Sequence, residues 1–152
     1  GSKLAGGWSI GNVFTSQSGG PITVTTLTNT TQAFSSGALR ANVIAEPNLP
    51  ASERTLQRWF NTSAFAQPPQ YEFGNQGVGL VRAPGMTNWN LSLTRTFRFG
   101  EQRRLQFRAE SFNLPNHPNF FPPNQVFEGP GFGIIDTARP GRQVQLGLRL
   151  DF

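Results

Sequence analysis

The chain has 152 residues, of which 36% are hydrophobic, 12% aromatic and 14% charged, with 17 Gly, 12 Pro and no Cys. That length holds one modest core; the missing Cys excludes disulfides and thiolate metal sites, and the aromatic content argues against a disordered chain. The formal charge of +5 is carried almost wholly by Arg, because Lys3 is the only Lys; these residues are scattered and form no nucleic-acid motif, so no nucleic-acid partner is expected.

The chain starts at Gly1-Ser2 rather than at Met and shows no signal peptide, which predicts a product processed or cut from something longer. No apolar run approaches the roughly 18 residues of a transmembrane helix. One long strand is expected over residues 5–27. Within it Trp8, Ile10 and Phe14 alternate, Ser18-Gly19-Gly20-Pro21 makes a bulge or bend, and Ile22-Thr23-Val24-Thr25 resumes the strand. Residues 28–87 are rich in Asn, Ser, Pro and Gly and read as a long loop. A short helix is expected in it from Ser52 to Phe60, because Pro50 precedes it and Ser52-Glu53-Arg54-Thr55 supplies capping residues.

The next strand is expected over residues 88–99. Trp89, Leu91, Leu93, Phe97 and Phe99 share one face, Asn90, Ser92, Thr94, Thr96 and Arg98 the other, and Arg95 is the one break. Gly100-Glu101-Gln102 reads as a hairpin link. A third strand follows over 103–112, with Leu105, Phe107 and Ala109 opposite Gln106, Arg108 and Glu110. Residues 113–141 form a second long loop with six Pro, in which Phe120, Phe121, Phe127 and Phe132, with Phe112 before it, suggest a small satellite core. The last strand, 142–152, alternates strictly. Val144, Leu146, Leu148, Leu150 and Phe152 point one way; Gln143, Gln145, Gly147, Arg149 and Asp151 point the other.

The expected fold is therefore all-β: one domain over 1–152, with antiparallel strands forming part of an outer-membrane-type barrel. Connections that run long, short, long put both long loops on one side, as in such barrels.

Few residues suggest chemistry. His117 is the only His, and eight carboxylates form no motif. There is no Gly-x-Ser-x-Gly elbow and no phosphate-cradling loop. No catalytic, cofactor or metal site is expected, and the chain reads as non-enzymatic. Asn29-Thr30-Thr31 and Asn61-Thr62-Ser63 match the glycosylation pattern, which reads as chance. Arg95, Arg98, Arg108, Arg149 and Glu110 fall on strands and read as an ion-pair ladder on the polar face, or as a solute-selecting lumen. Trp8, Trp89, Phe97 and Phe99 read as an aromatic girdle at a membrane interface or as packing between sheets.

Several stretches resemble the C-terminal end of TonB-dependent outer-membrane receptors that carry a carboxypeptidase-regulatory-like N-terminal domain. They are Gly6-Gly7-Trp8-Ser9-Ile10 with Gln17-Ser18-Gly19-Gly20-Pro21, Arg58-Trp59-Phe60-Asn61-Thr62-Ser63-Ala64-Phe65, and Arg82-Ala83-Pro84-Gly85 with Asn88-Trp89-Asn90-Leu91-Ser92-Leu93. The most telling is Leu105-Gln106-Phe107-Arg108-Ala109-Glu110-Ser111-Phe112-Asn113 with Asn116-His117-Pro118-Asn119-Phe120, followed by the final strand. Pro115 departs from the family, which more often has an aromatic or aliphatic residue there. The resemblance implies a location in the outer membrane or at the extracellular surface of a Gram-negative-type bacterium. It also implies that Val144, Leu146, Leu148, Leu150 and Phe152 are the signal read by the barrel-assembly machinery.

About four strands cannot close a barrel, for which eight is the usual minimum. The open edges call for partners. Copies of the same chain, joined edge to edge into a closed ring or a helical tube, are the first expectation, with outer-membrane lipid as a further partner. The alternative is the C-terminal part of an intact transporter that imports a large nutrient.

Overall fold

The computed structural model describes residues 6–33 and 39–152. Ten strands and two 3₁₀ turns run in the order β1 (Trp8–Gln17), β2 (Pro21–Ile22), β3 (Thr25–Thr26), β4 (Asn42–Val43), a turn at Ala51–Glu53, a turn at Thr62–Ala64, β5 (Phe65–Ala66), β6 (Val81–Arg82), β7 (Met86–Phe99), β8 (Arg103–Phe112), β9 (Val126–Phe127) and β10 (Gln143–Asp151). They divide between two compact units. The first comprises residues 1–17, 86–119 and 139–152; the second comprises residues 18–85 and 120–138.

The first unit is a four-stranded antiparallel sheet in the order β1-β7-β8-β10. The expected all-β, antiparallel fold is thus observed, and so is the long, short, long pattern of connections. The hairpin between β7 and β8 turns on Gly100-Glu101-Gln102, with Phe99 opposite Arg103. Gly100 has φ +74°, the left-handed conformation in which a Cβ is strained, so the link needs glycine there.

The second unit is assembled from contacts that are distant in sequence. β2 pairs with β6, β3 with β9 and β4 with β5. Its core is Ile22, Val24, Ala41, Phe60, Ala64, Phe65 and Val81, with Phe127 and Phe132 packed against it. Phe60, Phe65 and Phe132 meet pairwise edge to face at 5.3–5.9 Å between ring centres, a preferred aromatic geometry. Gln76 is 2% exposed and stands in for a strand neighbour: its Oε1 accepts from the Val24 N–H at 2.8 Å, and its Nε2 donates to the Ile22 carbonyl at 3.2 Å.

Two expectations are corrected here. The single strand over 5–27 instead stops at Gln17, and of that range residue 5 lies outside the described residues. The chain breaks because Gly19 lies against the backbone of Ala83, where a Cβ would stand 1.6 Å from the carbonyl oxygen, and because Pro21-Ile22 and Thr25-Thr26 then pair with β6 and β9 rather than with β7. Within residues 1–152 the long connections bury a core of their own, which makes the second unit. The helix over Ser52 to Phe60 is only the 3₁₀ turn Ala51–Glu53; Thr55 bridges back to Arg58, and Phe60 is drawn into the core.

Candidate membrane interface

Strand register carries the faces of the four-stranded sheet across its whole width. Ile10 lies opposite Leu93, Leu93 opposite Ala109, and Ala109 opposite Leu146. Trp8, Arg95, Phe107 and Leu148 form the next row, and Phe97, Leu105 and Leu150 the one after. One face is therefore almost continuously apolar. The side chains of Ile10, Phe14, Val144, Leu146, Leu148, Leu150 and Phe152 are exposed on the isolated sheet, Leu146 by 68%. A patch of this kind on one face of a sheet is a surface meant to be covered.

Aromatic residues lie toward both ends of that face. Phe14 is opposite Trp89 at the end from which the long connections leave, while Trp8, Phe97 and Phe99 lie toward the hairpin. Trp89 and Phe99 are both on β7, ten positions apart, or about 34 Å along a strand. Tilted by about 40°, that length spans about 26 Å, close to the ~25 Å apolar band of a membrane barrel with its flanking girdles. The four residues singled out in sequence are thus on one face, three toward one end and Trp89 at the other.

Arg95 breaks the alternation in sequence, and the structure gives the break a place. Its guanidinium carbon lies 4.9 Å from the centre of the Trp8 ring and 4.4 Å from that of Phe97, and the residue is only 7% exposed. Trp8 also meets Phe107 edge to face at 6.5 Å. The rings sheathe the cation on a face that would otherwise display it, an arrangement stabilised by cation–π attraction.

The opposite face is polar. Arg108 pairs with Glu110 at 2.5 Å and Arg149 with Asp151 at 2.9 Å, each within its own strand. Arg98 lies directly opposite Arg104, so the row nearest the hairpin has like charges side by side. Among the described residues these ion pairs run along strands, and register also sets Arg104 opposite Asp151.

At the loop end, asparagines tie the strand ends together. Asn119 Oδ1 accepts from the Thr87 N–H and its Nδ2 donates to the Thr87 carbonyl, both at 2.9 Å, so the side chain pairs with β7 as a backbone amide would. Asn113 likewise donates to the His117 carbonyl at 2.9 Å and accepts from the His117 N–H at 3.0 Å. Asn90 Oδ1 accepts from the Asn113 N–H at 3.0 Å, and Asn116 Oδ1 from the Arg142 N–H at 2.9 Å. Asn113 and Asn116 take positive φ, which Asn tolerates better than most residues. The His117 backbone is thereby held by Asn113 at both its N–H and its carbonyl. Sequence reading noted the Asn113–Phe120 stretch only as a resemblance; the recurrence of Asn at positions 113, 116 and 119, two of them flanking prolines, was the available signal.

Among the described residues no group of three or more His, Cys, Asp or Glu could hold a metal ion, and no helix is long and apolar enough to cross a membrane. Neither the curated proteins nor the solved structures contain a match to the chain. A family model described as an outer membrane beta barrel domain matches residues 1–145, nearly the whole sequence. Together with an antiparallel sheet that is apolar on one face and polar on the other, that match places the chain in the outer-membrane β-barrel domain family, proteins of the outer membrane of Gram-negative-type bacteria.

Proposed function

We propose that this chain is a stretch of barrel wall from a TonB-dependent outer-membrane receptor, a transporter of a large nutrient, with its apolar face against lipid and its polar face toward the lumen. The observation that supports this most is the last strand. β10 is the outer edge of the sheet, and Val144, Leu146, Leu148 and Leu150 all fall on its apolar face, with Phe152 next in the alternation. That pattern is the form of a barrel-assembly signal, and an open strand beside it is where a further strand adds to close the wall.

A second reading is favoured by the other edge. β1 is equally without an outer neighbour among the described strands, so copies of the chain could pair β10 of one with β1 of the next and close a ring or continue as a tube. One experiment separates the two. Outer membranes are isolated from the native bacterium and probed, after boiling, with an antibody to this sequence. A polypeptide several times 16.7 kDa supports the receptor; a band at 16.7 kDa that runs as a ladder of multiples before boiling supports the multi-chain barrel. A 16.7 kDa species that never shows multiples contradicts both.

A further inference from the structure

At the hairpin the apolar face ends on a cation. Phe99 and Arg103 are register partners, so their side chains share that face, one row beyond Phe97 and Leu105. Both are exposed, Phe99 by 56%. Arg108 and Arg149 have carboxylate partners on the polar face, and Arg95 is sheathed by rings. Arg103 differs: among the described residues its guanidinium forms no ion pair, ring contact or side-chain hydrogen bond.

Beside this pair lies a concavity of about 300 Å³, bounded by Phe99, Glu101, Gln102 and Arg103. It holds one cation and one anion. Glu101 is exposed and, among the described residues, forms no ion pair, so the two charges share a concavity without neutralising each other. The tight turn on Gly100 keeps Glu101 two residues from Arg103. A row just past the last apolar one, beside an aromatic ring, is the level of lipid headgroups, where a guanidinium meets phosphate and binds it with two N–H groups. The carboxylate adds a second requirement. It disfavours a headgroup with net negative charge, and it accepts hydrogen bonds from an ammonium that carries N–H groups but not from a quaternary one. Ring, guanidinium and carboxylate together suit an acyl chain, a phosphodiester and a primary ammonium.

We infer that this hairpin holds a phospholipid whose headgroup ends in a primary ammonium, with the phosphate on Arg103, the ammonium on Glu101 and the acyl chains over Phe99 along the apolar face. The inference rests on the reading of that face as lipid-facing. The test takes the intact protein purified from its outer membrane into detergent. Bound phospholipid is counted by native mass spectrometry as lipids with identical acyl chains and ethanolamine, choline or glycerol headgroups are added. The ethanolamine lipid should bind most tightly. Arg103→Gln should weaken it about tenfold. Glu101→Gln should abolish the preference for ethanolamine over choline and leave choline binding unchanged. Arg104→Gln, on the polar face, should change neither. Equal binding of ethanolamine and choline lipids, tighter binding of the glycerol lipid, or a preference that survives both Arg103→Gln and Glu101→Gln overturns the site. A spin label at position 148 of the same protein in vesicles keeps the two readings apart. A label reached by lipid-dissolved oxygen, with no ethanolamine preference, refutes this inference alone; a label that oxygen does not reach refutes the lipid-facing reading with it.

Discussion

Placing a charge in the middle of the apolar face distinguishes lipid from every other cover. Leu146 lies in the row of Ile10, Leu93 and Ala109, four positions on β7 from Trp89 and six from Phe99. It is 68% exposed on the sheet, so Leu146→Arg removes little packing within the chain itself. If hydrocarbon covers that face, the substitution costs about 2–4 kcal/mol, the range for Arg near the midplane of a barrel's lipid face. That is roughly a thirty- to several-hundredfold shift in the folding equilibrium. Gln145→Arg, one residue away on the polar face, should shift it by less than about 0.5 kcal/mol, as ordinary surface substitutions do. The assay is urea unfolding of the intact protein refolded into lipid vesicles, followed by Trp fluorescence. Equal effects of the two substitutions, or a Leu146→Arg protein as stable as its parent, would refute the assignment of the apolar face to lipid.

Other expectations follow from single contacts. Asn119→Ala leaves both backbone groups of the half-buried Thr87 without that partner, which should cost about 1–3 kcal/mol and make the Asn113–Asn119 corner exchange its amide protons faster. Phe60→Ala opens a cavity among Phe65, Phe132 and their neighbours and should destabilise the second unit by about 3–5 kcal/mol, read as faster protease cleavage within residues 18–85. Glu46 is held below the usual carboxylate range by the Asn48 backbone N–H, at 3.0 Å, and then by the Asn48 side-chain amide, at 2.9 Å. Because its folded pKa is depressed, whatever it adds to the turn is present above the ordinary carboxylate pKa and lost as pH falls through the lowered value. An NMR titration of the Glu46 carboxyl should therefore show a midpoint below that of Glu46 in the unfolded chain, and Asn48→Ala should raise it.

The four long strands were legible because a period of two leaves a plain trace. Val144 to Phe152 sort onto two faces without any knowledge of neighbours, and Gly100-Glu101-Gln102 marks the one short turn. The same signal fails where strands are two residues long. Ile22 finds Val81 and Thr25 finds Val126 across about sixty and a hundred residues, and no local pattern records such pairings. The capping residues near Ser52 carried a helical expectation that lost to the burial of Phe60 beside Phe132, a contact no local window contains. The satellite core foreseen from the Phe-rich loop does exist around Phe127 and Phe132, but half of it, Phe60 and Phe65, comes from the other connection. The apolar face was readable residue by residue. The sheathing of Arg95 was not, because it depends on register between strands.

The central claim is that one face of this sheet meets lipid and the other meets water, and site-directed labelling of the last strand, in a protein cleared of any Cys outside these 152 residues, measures it directly. Single Cys residues are placed at Gln145, Leu146, Gly147 and Leu148 of the intact protein and spin-labelled in native outer-membrane vesicles. Collision rates with oxygen, which partitions into lipid, are then compared with those of a water-soluble nickel complex. The account predicts an alternation of period two, with labels at 146 and 148 reached by oxygen and labels at 145 and 147 reached by nickel. Labels at 146 and 148 that neither reagent reaches would mean that protein covers the apolar face, and would contradict it.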